Sequence, residues 1–411
     1  MTKSGKKYKA AALLISAVLA VTLLAPGVGL AAEESFVRSF TLEEAEDYAL
    51  KNNDGLKEYD QNIDKLQNTF DQTEYSLKRK FRVSDIDKIA DSKVFKNMDK
   101  APSTEVGRYD TDRKILIAPK ELRTQLNNLK DGRAQVEEGI KIAVDKDYYA
   151  ILEDRQNHDV LKKSLELAKK GESIAQVQFD NGMITKEELL QSKIGVTGVK
   201  TQINQTQNSL NKDMLSLKKQ MGLPADALFK LETSLTVPDV SDIDVEKGVD
   251  SALEKRMEII EDKRAIDINE QDFDLIESYY TDFNFQYKDG QLKLDNSQAK
   301  LRSDKHAVEQ DVRQNYINLM NASSALSVLQ QNIDAEKESL RVAQLKLKYG
   351  VGTVVDVLNA QQSIMECRLE LARAQHMLGL AKINYDVSTD IGLPGVSQTG
   401  GMGDAAQVAV Q

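Results

Sequence analysis

The chain has 411 residues, with 55 Lys and Arg against 65 Asp and Glu for a net charge of −10, one cysteine, no Trp and only six prolines. It is too long for one small domain and, at 29% charged residues, too polar for a polytopic membrane protein. Proline breaks helix interiors. Pro26, Pro102, Pro119, Pro224, Pro238 and Pro394 leave three long proline-free stretches, so very long helices are expected and a compact β or α/β fold is not.

Residues 1–31 carry Lys3, Lys6, Lys7 and Lys9, an apolar run from Ala10 to Leu24, and a small-x-small end at Gly29-Leu30-Ala31. This pattern predicts a secretory signal peptide. The run is shorter than the roughly 20 residues of a spanning helix, and no cysteine follows it to take a lipid anchor. Its removal takes away four lysines and no acid, leaving −14, which argues against nucleic acid as a partner. Cys367 has no intramolecular partner, and His158, His306 and His376 stand without ligand spacing, so neither a disulfide nor a metal site is expected.

From Thr41 to about Lys80, Leu42, Ala49, Leu56, Ile63, Phe70 and Leu77 recur every seventh residue, the mark of a helix with a coiled-coil seam. Thr41 and Glu44 form a capping-box pattern at its start. Residues 82–120 are a connection, with strand signals at Val106 to Tyr109 and Lys114 to Ala118. A long helix is predicted from about Glu121 to Phe179, with a possible break at Asp131-Gly132, then a tight turn and a further helix ending at Gly222-Leu223-Pro224.

The second half repeats this plan. At a spacing of 168 residues Ala175-Gln176 matches Ala343-Gln344, Gly182 matches Gly350, Leu190 matches Leu358 and Gln207 matches Gln375. Near the front of each half Thr41 to Leu50 matches Asp244 to Leu253 at a spacing of 203, so the first half holds an insertion of 35 residues. A hairpin is predicted between Phe283 to Tyr287 and Gln291 to Leu294, joined by Lys288-Asp289-Gly290. Tyr279, Tyr280, Phe283, Phe285 and Tyr287 crowd there, either as a membrane-interface belt or as the apolar face of the hairpin. A second long helix follows from about Ser297 to Lys348, with Val312, Leu319, Leu326, Ile333, Leu340 and Leu347 in its seam. At 1.5 Å per residue each long helix would span about 80 to 90 Å. In the last helix Val357, Ile364, Leu371, Leu378 and Tyr385 form a large row and Ala360, Cys367, Ala374 and Ala381 a small one, which assigns Cys367 to packing.

The opening FTLEEAEDYALKNN at Phe40 to Asn53, the closing VVDVLNAQQS at Val354 to Ser363, Leu369 to Gln375 with IGLP, and the tandem repeat together resemble the TolC-like outer-membrane efflux proteins. The resemblance runs from about Phe40 to Pro394. It implies a mainly α fold of long coiled-coil helices closing as a homotrimeric α-barrel, with short β-hairpins contributing to a membrane barrel. Domains follow as a leader at 1–31, repeats at 32–240 and 241–394, and a flexible Gly-rich tail at 395–411.

By the same resemblance the hairpin tips, Asn181, Gly182 and Met183 and then Tyr349, Gly350 and Val351, dock a periplasmic adaptor that couples the duct to an inner-membrane pump. The family's aperture acids fall on Asp356 and Asn359, and in the first repeat on Glu188 and Gln191, so Asp356 would give a ring of three carboxylates and Asn359 a neutral one. The plain alternative for Asp356 and Glu188 is a solvated acid in the first turn of a helix, favoured by the helix dipole. The predicted strands are shorter than the about 9 to 11 residues that cross a membrane; either they extend further or the barrel is truncated. The resemblance implies no cofactor and no catalytic residues: Glu187 and Glu188 point differently from one helix, and Gly350-Val351-Gly352 follows a helix rather than a strand. An exit duct in an outer membrane is the leading expectation; a helical scaffold without a pore, secreted or on the surface of a cell with one membrane, is the alternative.

Overall fold

The computed structural model describes residues 38–100, 104–232, 238–349 and 351–393; the predicted leader and tail lie outside these. The chain is mainly helical. β1 (Arg38–Phe40) leads into α1 (Leu42–Asn52) and α2 (Asp54–Phe81), which is followed by a 3₁₀ turn (Ile86–Lys88), α3 (Lys93–Asp99) and α4 (Glu105–Leu116). The hairpin of α5 (Ala118–Asp180) and α6 (Lys186–Gln220) and the strand β2 (Phe229–Leu231) complete the first repeat. The second consists of α7 (Val245–Lys255), α8 (Met257–Glu277), α9 (Phe285–Lys348) and α10 (Val354–Thr389). With 63 and 64 residues, α5 and α9 are each about 95 Å long.

The predicted capping box at Thr41 is present: its N–H donates to Glu44 Oε2 at 3.1 Å, and the Glu44 N–H donates to Thr41 Oγ1 at 3.2 Å. The predicted helix from Thr41 to Lys80, however, is broken in two. Asn53 is extended and its Oδ1 accepts the Leu56 N–H at 3.0 Å, so it caps a new helix while the heptad seam continues through Leu56. The repeat position of Asn53, 203 residues on, is Arg256, whose backbone likewise leaves the helical region (ψ 133°) and separates α7 from α8, here without a side-chain cap. Each joint is closed by the Gly-Leu that ends its repeat. Gly222 and Gly392 both take left-handed backbone, at φ +66° and +70°, and pack on Asn52 and Arg256 respectively.

The predicted β-hairpins are not formed. Val106 to Tyr109 lies in α4, capped by Thr104, and Lys114 to Ala118 spans the end of α4 and the start of α5. This inserted segment folds as a helical cap whose apolar residues Ile86, Ile89, Phe95 and Ile115 pack on Phe70, Phe81 and Leu126. Phe285 to Leu294 forms the first turns of α9. Gly290, read as turn chemistry, is instead a point of close approach: a Cβ there would lie 2.6 Å from Ile276 Cδ1, so a larger residue would have to displace the end of that side chain on α8. Gly132 does the same under Tyr59, and α5 runs through Asp131-Gly132 without a break. Among the described residues, the strand pairing is limited to β1 against β2, parallel, with Phe40 opposite Leu231.

Two repeat-related cores hold the long helices. In the first, Ala45, Ala49 and Leu56 pack on Val144, Tyr148 and Ile151 of α5 and on Leu217 and Met221. In the second, Ala252 and Ile259 pack on Val308, Val312 and Leu319 of α9 and on Leu378 and Tyr385 of α10. Ala49 and Ala252, matched by the repeat, are both fully buried. Burying each large side chain contributes about 1.5–3 kcal/mol.

Candidate functional site

The long helices form a row in the order α6, α5, α10, α9, since α5 packs on both α6 and α10, and α10 on both α5 and α9. Gly171 of α5 meets Leu358 of α10, and Ser164 Oγ donates to Gln362 Oε1 at 2.7 Å. The two hairpin turns therefore point towards the same end of the molecule.

At the first turn α5 ends in a backbone cap: the Asn181 N–H donates to Val177 O at 3.1 Å, the Met183 N–H to Gln178 O at 2.8 Å, and Gly182 between them is left-handed. At the second turn the Tyr349 N–H donates to Leu345 O at 3.0 Å and the Val351 N–H to Lys346 O at 2.9 Å. Gly350 lies outside the described residues. Met183, Tyr349 and Val351 are 72%, 73% and 77% exposed, an unusual state for large apolar side chains.

The predicted aperture acids have the same local geometry in both repeats. Each is the third residue of a helix and completes a capping box. The Thr353 N–H and Oγ1–H donate to Asp356 Oδ2 at 2.7 and 2.8 Å, and the Asp356 N–H donates to Thr353 Oγ1 at 3.1 Å. In α6, the Thr185 N–H and Oγ1–H donate to Glu188 Oε2 at 2.7 and 2.9 Å. These donors hold both carboxylates below their ordinary range, so both are charged at neutral pH. Asn359 and Gln191, one turn further along, are exposed.

The sequence reading missed the polar groups buried between the helices. Arg256, 1% exposed, donates to Glu258 Oε1, to Asp311 Oδ2 at 2.7 Å and to Ser388 O at 3.2 Å, tying the α7–α8 joint to α9 and to the end of α10. On α5, burial pushes Asp145 up to about 8, helped by Glu46 of α1, and raises Asp147 and Asp154 to about 6. Asp145 follows Ile140 and Val144 on the core side of α5; an acid in that register was the available signal. Between α5 and α10, His376 Nδ1 bonds Glu153 Oε2, and its ring stacks on Tyr149 at 6.3 Å. No group of potential metal ligands is found among the described residues.

Residues 283–384 match the family model described as outer membrane efflux protein. The fold is similar to that of the outer membrane protein VceC from Vibrio cholerae, with TM-score 0.64 and 12% identity over 85% of this chain and 96% of that one. It is also similar to CusC (TM-score 0.64, 11% identity, 89% and 95% covered) and to the CmeC outer membrane channel of Campylobacter jejuni (TM-score 0.58, 14% identity, 85% of each chain). No curated relative matches the sequence. The resemblance drawn from the sequence thus meets the efflux-protein domain in the second repeat and the α-barrel channel fold along most of the chain; these families are channels, not enzymes.

Proposed function

We propose that the protein is the exit duct of an efflux or secretion system in the cell envelope, assembled from three copies in an outer membrane and driven by an inner-membrane pump through a periplasmic adaptor. The observation that carries this is the open helical row. Its edges are different helices, and each bears exposed apolar side chains: Leu190 and Ile194 on α6, Val328 and Val342 on α9, all between 38% and 62% exposed. An edge of one kind that fits an edge of the other makes a head-to-tail contact, which closes as a ring when the rotation allows. In such a ring the tips Asn181 to Met183 and Tyr349 to Val351 crowd at one end as the adaptor site, and Asp356 supplies three carboxylates around the axis.

Ile194 and Val342 stand at similar distances from their turns. With Cys367→Ala as background, the pair Ile194→Cys and Val342→Cys should therefore crosslink into trimers. Monomers alone, after crosslinking at micromolar concentration, would remove the ring. A second reading, a helical duct or scaffold without a membrane-spanning pore of its own, is favoured by the helical fold of both connections, α3 and α4 in the first repeat and the opening of α9 in the second. Ion conductance of the purified protein in planar bilayers decides between the two.

A further inference from the structure

We propose that the turn joining α8 to α9 is a lipid-docking apex, which seats Phe283 and Phe285 in the interface of a bilayer without crossing it. The proposal takes from the envelope reading only the presence of a lipid surface; it needs neither the ring nor a pore.

Both α5 and α9 run from this end towards the hairpin tips, so the turn lies about 95 Å along α9 from Tyr349. At the apex Phe283 and Phe285 are 87% and 78% exposed, and Leu292, two turns into α9 on the face of Phe285, is 57% exposed. The five aromatics that crowd this connection divide by chemistry. The tyrosines are engaged with the protein: the Tyr279 hydroxyl bonds Asp112, Tyr280 is buried edge-on against Tyr109 at 5.4 Å, and the Tyr287 hydroxyl donates to Glu277 Oε1 at 3.1 Å while its ring packs on Phe273. The two phenylalanines, with no polar group to satisfy, stand out in solvent. Beneath them the turn is closed by the Asn284 N–H donating to Thr281 O at 2.9 Å, so little ordering is left for contact to impose.

Area and charge select the occupant. A Phe buries about 150–250 Å², so the pair offers at most about 500 Å², against roughly 800 Å² per partner in a stable protein interface. That is too little for a second copy or a folded partner, whereas a bilayer needs no matching shape. Leu292 stands about 10 Å along α9 from Phe285, the depth to which an interfacial helix sinks among headgroups and upper acyl chains. Residues 281–293 hold Asp282 and Asp289 against Lys288 and Lys293, for no net charge, so the attraction is apolar and indifferent to salt. Among the described residues no helix is long and apolar enough to cross a membrane.

The test is flotation of the purified mature protein with phosphatidylcholine vesicles. The wild type should bind, and equally at low and high salt. Phe283→Ala and Phe285→Ala should each weaken partitioning about tenfold, and together about a hundredfold, with helix content unchanged. Leu228→Ala, at a side chain 71% exposed just before β2, should leave binding as it is. Because the chain has no Trp, Phe283→Trp is a sole reporter, whose emission should shift to the blue on vesicles and be quenched by brominated acyl chains. No binding by the wild type, unchanged binding in the double variant, or binding lost at high salt would overturn the apex. So would a blue shift that grows with protein concentration in the absence of vesicles, which would mean that a second copy covers the rings. The crosslink between Ile194→Cys and Val342→Cys is read alongside: trimers that do not bind overturn the apex alone, and binding without trimers removes the ring and keeps the apex.

Discussion

The two repeats solve the same problem differently at their joints. Both break a helix at the same aligned position, Asn53 and Arg256, and both press a left-handed glycine against the break. In the first repeat the joint is neutral: Asn53 caps α2, and the repeat is closed by the β1–β2 pair, with the Tyr148 hydroxyl donating to Glu232 O at 2.7 Å. In the second, one buried guanidinium reaches three elements at once. The repeat thus conserves a backbone shape rather than a set of contacts. A neutral cap and an ionic clasp are alternative ways to hold it.

The comparison is most sharply tested by substitution at the two joints. Arg256→Ala strands Glu258 and Asp311 in a largely buried site and should cost about 3–5 kcal/mol. Asn53→Ala removes a cap and should cost about 1 kcal/mol. Chemical denaturation measures both, and equal losses would mean that the two joints are held alike.

The next effect is on pH. Asp145, near 8, and Asp147 and Asp154, near 6, are raised above the unfolded carboxylate value, so the folded first repeat binds more protons than the unfolded chain. Their stabilisation is full below about pH 4 and is lost as pH rises through 6 and then 8. Stability should be lower at pH 8.5 than at pH 5.5 by on the order of 1–3 kcal/mol, seen in thermal unfolding as a lower Tm. Asp145→Asn should flatten the upper part of that window.

Over-packing the helix crossings comes below this. Gly290→Ala pushes against the end of Ile276, a flexible side chain, and should cost about 1 kcal/mol in a denaturation curve. The smallest effect on folding is expected at the tips. Asp356→Asn and Glu188→Gln leave each capping box partly intact, so helix content by circular dichroism should hardly change. Only Asp356→Asn should alter cation block of the conductance, if its carboxylates ring an aperture. No change in block would leave Asp356 as a helix cap.

Much of this was legible in the sequence because heptad seams and a tandem repeat are long-range signals that local chemistry rarely imitates. Leu42 to Leu77 and Val312 to Leu347 located helices correctly, and Thr41 with Glu44 located a helix start. What misled were short signals. Lys288-Asp289-Gly290 has the composition of a turn, but Gly290 serves a crossing with Ile276 that only the tertiary structure shows. The break at Asn53 was hidden because the seam passes through it to Leu56. Arg256 gave no local sign of burial, since its partners Asp311 and Ser388 are 55 and 132 residues away. The aligned spacing of 203 residues does set Arg256 on Asn53, and read together they mark one joint. At the candidate aperture, Thr185 with Glu188 and Thr353 with Asp356 spell out capping boxes three residues apart, so the local role of each acid was written in the sequence. Its place around an axis depends on other copies of the chain.

The clasp on Arg256 also orders assembly in time. By residue 232 the first repeat has all of its own closing partners, both strands included. In the second, Glu258 and Asp311 reach Arg256 early, but its bond to Ser388 O, and that of Met257 N–H to Ile391 O, form only once α10 is complete. A polypeptide emerging amino end first therefore holds its second half unlatched until nearly its last helix has appeared. A chain ending before Ser388 should remain protease-sensitive between α7 and α8 while the core around Ala49 and Tyr148 resists.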